Sequence, residues 1–274
     1  SDVYKRQDMI ELEDGRWYMV SLGKRNDLDG DANMGRETYL MPMQWEPTIV
    51  KWEQVSEDRW EPLRYLFPVV APLTGKVERF TPLPYADKPQ YINNTVVDDF
   101  LDENLDLRWT FVRVPEDKTY SLSENPGFLR LYSKPGIIQD RKRFSLVGFR
   151  QKESDFEFEV KMNFSPEKDK VESGIIHYQK EWNYLTNTVT KVKKKYYLEQ
   201  KLKEKSKEIV TLKKTILKGY DGNIILKVKS KKDKYDFYYS LNNGSSFIYF
   251  TSMDAIKILD RNCLLYTSPA HETA

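Results

Sequence analysis

Nine consecutive residues, Phe156-Glu157-Phe158-Glu159-Val160-Lys161-Met162-Asn163-Phe164, alternate apolar and polar without a break. Successive side chains of an extended chain point to opposite faces, so this period of two sets five apolar side chains on one face of a half-buried strand. Shorter runs of the same kind recur at Met9 to Leu12, Trp17 to Leu22, Tyr39 to Trp45, Ile224 to Val228, Phe237 to Leu241 and Ser246 to Phe250. Turn formers separate them: Glu13-Asp14-Gly15 after the first, and Asn242-Asn243-Gly244 before the last. Asn and Gly tolerate the positive φ of tight turns. Many short strands joined in this way predict an all-β chain whose later part is an antiparallel two-sheet sandwich.

Composition narrows the function classes. A chain of 274 residues has room for one large domain or two ordinary ones, and 39% hydrophobic residues suffice for a core. Lys and Arg number 44 against 42 Asp and Glu, a net charge of +2. That balance argues against a surface built for nucleic acid. A single Cys excludes a disulfide framework, and two His make a histidine-based metal site an unfavoured reading. No apolar run reaches the length of a membrane span, so no membrane partner is expected. Aromatic residues make up 14%, a content suited to sheet faces and to surfaces that stack on sugars.

Several segments stand apart from this pattern. Residues 1–7 (SDVYKRQ) and 261–274 differ in texture from the interior and read as translated sequencing scars, which removes Cys263 and His271 from consideration. The loop Gly23 to Asn33 carries Asp27, Asp29 and Asp31 but no glutamate at the offset a calcium loop needs, so no metal and no cofactor is expected. Pro47, Pro62, Pro68, Pro72, Pro82, Pro84 and Pro89 punctuate residues 46–90. Proline donates no ladder hydrogen bond, so 51–94 reads as an extended connector between two domains. Ten lysines crowd Lys191 to Ile216, where aromatic interleaving is sparse; the segment reads as a long solvated hairpin or loop guarding a sheet edge.

In this order, Asp14-Gly15-Arg16-Trp17-Tyr18-Met19-Val20, Met34-Gly35-Arg36-Glu37-Thr38-Tyr39-Leu40 and Trp45 resemble the end of the catalytic propeller of glycoside hydrolase family 43. Asp98-Asp99-Phe100, Leu107-Arg108-Trp109, Arg113-Val114-Pro115 and Pro126-Gly127-Phe128-Leu129-Arg130-Leu131 resemble the start of that family's concanavalin-like C-terminal sandwich. Gly174-Ile175-Ile176 and Tyr238-Tyr239-Ser240 with Gly244 continue the likeness, which covers roughly residues 8–260. The resemblance implies that 8–50 is the remnant of a last blade of a five-bladed propeller and 95–260 a sandwich, truncated at both ends. It further implies inverting hydrolysis by carboxylates standing about 6.5–9.5 Å apart. In the family those carboxylates come from earlier blades, so no catalytic residue is expected in this chain.

The same resemblance assigns one substrate-binding residue, Arg36, matched to the arginine that reaches the sugar in the family's β-xylosidases. A guanidinium is a rigid fork of five donors, suited to hydroxyls or to orienting a carboxylate. Glu37, its strand neighbour, faces the other way and is read as structural. Trp17, Trp45 and Trp109 are read as core, and His177 as a core or inter-sheet histidine. Three departures from the family are evident: Arg6 stands where a pocket histidine is common, 46–66 is longer than the usual connector, and the sandwich's closing strands would follow Asp260. The expected function is that of the C-terminal part of an exo-acting β-xylosidase or α-L-arabinofuranosidase. Its substrate would be a xylo- or arabino-oligosaccharide, and its intramolecular partner the propeller. The alternative is a non-catalytic carbohydrate-binding sandwich module. Compartment is not legible.

Overall fold

The computed structural model describes residues 7–24, 34–78, 81–82, 84–85, 95–116, 118–232 and 234–259, so nearly all of the acidic loop 23–33 and of the two expected scars lies outside the described residues. The described residues are all-β and fall into two compact units, one holding those up to 24 and from 35 to 95, the other Met34 and those from 96 onward.

The first unit is one antiparallel sheet in the order β1-β2-β3-β4, with β1 at Gln7–Glu11, β2 at Trp17–Gly23, β3 at Glu37–Ser56 and β4 at Arg59–Val70. The β1–β2 hairpin is the one the Asp-Gly turn predicts, and Asp14 there accepts from the Arg16 backbone N–H at 3.1 Å and from Arg16 Nε at 2.8 Å. Met19, Met41 and Met43 are buried on one face, where Trp17, Tyr39, Trp45 and Val70 pack against them.

The proline-rich connector expected at 51–94 is corrected at its start. Residues 51–56 continue β3 and 59–70 form β4, paired from Met43↔Val70 out to Ser56↔Arg59. Since β2 pairs with β3 only as far as Met43, the hairpin beyond that point is a two-stranded ribbon. Each strand of a ribbon has one open edge, so a proline whose missing N–H would face outward breaks no ladder bond. Pro47, Pro62 and Pro68 sit in the ribbon in register with Leu66, Trp52 and Trp45.

The second unit holds two four-stranded antiparallel sheets. One runs β10-β11-β12-β13, with β10 at Glu172–Lys180, β11 at Asn183–Val192, β12 at Lys195–Glu204 and β13 at Val210–Ile216. The other runs β16-β15-β14-β9, with β9 at Phe156–Asn163, β14 at Asn223–Lys231, β15 at Lys234–Ser240 and β16 at Ile248–Asp254. Two short pairs precede them: β5 (Trp109–Phe111) with β8 (Val147–Phe149), and β6 (Tyr120–Ser121) with β7 (Arg130–Leu131). Leu185, Val189 and Leu198 from one sheet and Leu226, Val228, Tyr235 and Phe237 from the other share a single core. Burying each such side chain stabilises the fold by about 1.5–3 kcal/mol.

Strand β9 shows the nine-residue alternation at work. Phe156, Phe158, Val160 and Met162 pack on the core, while Glu159 and Glu157 turn outward to Lys227 at 3.0 Å and Lys229 at 2.9 Å on β14. The lysine-rich segment forms the expected hairpin, β12 with the exposed edge strand β13, but it is not solvated throughout: β12 is an interior strand, with Leu198 and Gln200 almost wholly buried. Its Leu198, Gln200 and Leu202 face the core, whereas Glu199 and Lys201 face the other side and neutralise each other at 2.9 Å. The lysines of its first turn do reach solvent, Lys193 and Lys194 both holding positive φ between the paired Val192 and Lys195.

Candidate functional site

Arg36 lies immediately before β3, half-buried, next to Gly35 at φ 73° and ahead of Glu37, which opens β3 opposite Gly23. Both side chains have partners, and Glu37 Oε2 is shielded from solvent. Trp17 and Trp45 meet edge to face at 5.4 Å over the methionine cluster, which makes them core.

In the second unit, the Asp-Asp-Phe and Leu-Arg-Trp motifs build structure. Asp98 accepts from Trp109 Nε1 at 2.6 Å and from the Phe100 N–H at 3.0 Å. Trp109 in turn packs on Phe149 at 4.1 Å. Asp106 is held by both side-chain and backbone donors of Arg108, and this keeps its carboxyl down at about 2. A concavity here is lined by Asp98, Asp99, Phe100, Asp102, Asp106 and Arg108 among others.

Proton chemistry offers a second test of what this chain can do. A general acid at neutral pH needs a carboxyl pushed upward by burial or by a like charge. The described carboxylates whose titration is displaced all move the other way: Asp14, Asp106, Glu116, Glu157, Glu199 and Asp221. Glu199 shows the logic, since burial lifts it but Lys214 at 2.6 Å and Lys201 at 2.9 Å outweigh that. His177 is an inter-sheet histidine, as expected. Its ring meets Tyr235 at 4.7 Å and Phe237 at 5.5 Å, and desolvation lowers it to about 4. Nδ1, however, is buried without a hydrogen-bond partner among the described residues, so the ring is not fully satisfied. Among the described residues no group of three His, Cys, Asp or Glu is arranged to hold a metal ion.

Aromatic rings that could meet a sugar divide by cover. Trp182, in the β10–β11 turn, lies beneath Arg141 at 5.7 Å and Lys203 at 5.9 Å. Trp52 and Trp60, on the ribbon, are 57% and 56% exposed. Sequence reasoning missed these two because the surrounding prolines masked the period-two pattern. The signal was present in the spacing of Trp52, Trp60 and Pro62 about a short Glu57-Asp58 turn.

Comparison with known proteins bears on both units. A family model described as the beta xylosidase C-terminal concanavalin A-like domain matches residues 97–264. The non-reducing end alpha-L-arabinofuranosidase BoGH43B of Bacteroides ovatus is 32% identical over 171 residues, which is 62% of this chain and 28% of that protein. A xylosidase/arabinosidase of Butyrivibrio fibrisolvens is 33% identical over 193 residues, 69% of this chain and 33% of that protein. The solved structure of Bacteroides ovatus xyloglucan PUL GH43B matches with a TM-score of 0.76 at 25% identity, over 92% of this chain and 46% of that one. The GH43 protein BlXynB from Bacillus licheniformis matches with a TM-score of 0.70 at 27% identity, over 91% of this chain and 44% of that one. The chain thus spans about a third of the length of these curated relatives and less than half of these solved structures.

Proposed function

Because this chain belongs to the family of beta-xylosidase C-terminal concanavalin A-like domains, we propose that it is the C-terminal part of an inverting, exo-acting glycoside hydrolase of xylan-derived oligosaccharides. In this reading 8–50 ends a propeller and 95–260 is the sandwich, which packs on the propeller and shapes one wall of its pocket. Arg36 reaches the sugar, and the acid and base belong to the part of the protein that this chain does not span. The observation that carries the reading is the order of the two units. A four-stranded antiparallel sheet is followed by a concanavalin-like sandwich, and among the described residues every carboxylate whose titration is displaced is shifted downward.

The relatives supply the substrate class: the Bacteroides ovatus protein is named for α-L-arabinofuranosidase activity and the Butyrivibrio protein as a xylosidase/arabinosidase. A donor-only arginine cannot both give and take the proton that inverting hydrolysis moves. The chain by itself is therefore expected to release no phenol from an aryl xyloside or arabinofuranoside. The protein that contains it should release single sugars from the non-reducing end of xylobiose or arabino-xylo-oligosaccharides, with inverted anomeric configuration seen by proton NMR. Turnover by the 274-residue chain alone, or long internal fragments from xylan, would defeat the reading.

The alternative of a carbohydrate-binding sandwich module has less support. On the sandwich, Trp182 is capped by cations and Tyr249 leans edge-on against Tyr238 at 5.6 Å.

A further inference from the structure

The paired residues of the ribbon beyond Met43 put all but one of their charges on one face and the two indoles of the tip on the other. Opposed residues of an antiparallel pair share a face, so the register assigns every side chain to one side or the other. One face carries Gln44, Glu46, Lys51, Glu53, Arg59 and Glu61 together with Leu63, Tyr65, Phe67 and Val69; on it Lys51 pairs with Glu53 at 2.6 Å, Arg59 pairs with Glu61, and Gln44 donates to Glu46. The other face carries Trp45, Ile49, Trp52, Trp60 and Leu66, with prolines between them and Arg64 as its one charge. It continues the side of the sheet on which Met41 and Met43 are buried, yet Ile49 is 44% and Leu66 64% exposed and neither indole at the tip is covered.

The dimensions select among occupants. From Trp45 to Gln54 the ribbon runs about 30 Å and is about 10 Å wide, an area near 300 Å². A stable protein interface needs about 800 Å² from each partner, so this strip is too narrow for a globular partner or a second copy. It has the width of a single polymer chain. Its one guanidinium, with five donors and no acceptor, suits a neutral chain rich in hydroxyls. One cation amid apolar side chains does not provide the cluster that anionic lipid or nucleic acid requires. Trp60 opposes Gln54, two residues along from Trp52, so the two indoles stand as diagonal neighbours about 7–8 Å apart at the backbone.

We infer that this face of the ribbon is an accessory binding strip for one strand of a neutral polysaccharide, with Trp52 and Trp60 stacking on successive sugar rings and Arg64 donating to hydroxyls. The strip rests on the proposed function only for the choice of xylan as the first polymer to test.

The test uses the full chain in native affinity gels containing soluble arabinoxylan, mixed-linkage β-glucan or galactomannan, with sedimentation in parallel. The chain should be retarded by arabinoxylan, Trp52→Ala and Trp60→Ala should each weaken retardation at least fivefold, and the double variant should abolish it. Trp182→Ala should leave retardation unchanged. Circular dichroism and melting of the variants should match the parent, since both indoles are exposed. Retardation untouched by the double variant, or absent with all three polymers, overturns the inference. So does a dimer that the double variant dissolves, or binding to neutral or anionic lipid vesicles in place of polysaccharide. Retardation by β-glucan or galactomannan alone, lost in the double variant, upholds the strip and counts against the xylan reading. Hydrolysis of xylobiose by the longer protein together with no retardation sinks the strip alone.

Discussion

At the scale of single residues, two side-chain positions control stability in ways that can be measured. His177 is neutral in the folded sandwich because burial between Tyr235 and Phe237 lowers it to about 4, against 6.5 when unfolded. The unfolded chain therefore binds a proton that the folded chain refuses throughout that interval. Stability from this group is complete above pH 6.5 and falls as the pH drops toward 4, by at most about 3 kcal/mol. Urea unfolding at pH 7 and pH 4.5 should show this loss. His177→Phe, which keeps an aromatic ring against Tyr235, should flatten it; an unchanged slope would show that other groups govern that range. Gly174 is constrained differently. A Cβ there would come within 2.1 Å of the Asn187 carbonyl oxygen and 2.8 Å of Thr188 Cα on the paired strand. Backbone cannot yield as a flexible side chain can, so Gly174→Ala is expected to cost about 3 kcal/mol in chemical denaturation.

At the scale of elements, β12 shows how a chain so rich in lysine can occupy the middle of a sheet. Its core face is Leu198, Gln200 and Leu202, with Gln200 Nε2 donating to Asn187 Oδ1 at 3.1 Å. Its other face is a relay in which Lys201 joins Glu172 to Glu199, and Lys214 on β13 approaches Glu199 at 2.6 Å. Glu199→Gln keeps the shape and removes the charge that both lysines need. A cost of about 1–2 kcal/mol is expected at pH 7, below the value for a fully buried pair because Lys214 is part-exposed. Since burial raises the Glu199 carboxyl but its two lysines hold it below 4.5 on balance, that contribution is present above 4.5 and lost as the pH falls through its folded value. The gap between parent and variant should close under acid. This window lies below that of His177, so a pH series separates the two. The alternation that identifies β9 was plain in the sequence because every outward position there is charged or amidic. In β12 the alternation is broken by Gln200 on the core face and Tyr197 on the other, both faces are covered, and polar residues on a covered face read as solvated until their partners are known.

At the scale of the whole molecule, the two units differ in how much they depend on the ribbon. No residue from 44 to 70 is buried, so shortening the hairpin to an Asn-Gly turn that joins Trp45 directly to Pro68 removes no core contact. The sandwich's thermal midpoint is expected to stay within about 2 °C of the parent's by calorimetry, while polysaccharide retardation is lost. A large drop would show that the ribbon supports the fold. Sequence by itself determined the all-β class, the first hairpin at Asp14-Gly15, the last one at Asn243-Gly244 and the family likeness, because period-two patterning and positive-φ turns are local properties of the chain. It also marked Arg36 by its motif. Which strands neighbour one another, and hence that 46–66 is a two-stranded ribbon with both tip indoles on one face and 195–204 an interior strand, was decided only by tertiary structure. A strand's faces acquire meaning from what lies opposite, and the residues opposite Trp52 and Glu199 are Pro62 and Lys214, ten and fifteen positions away along the chain.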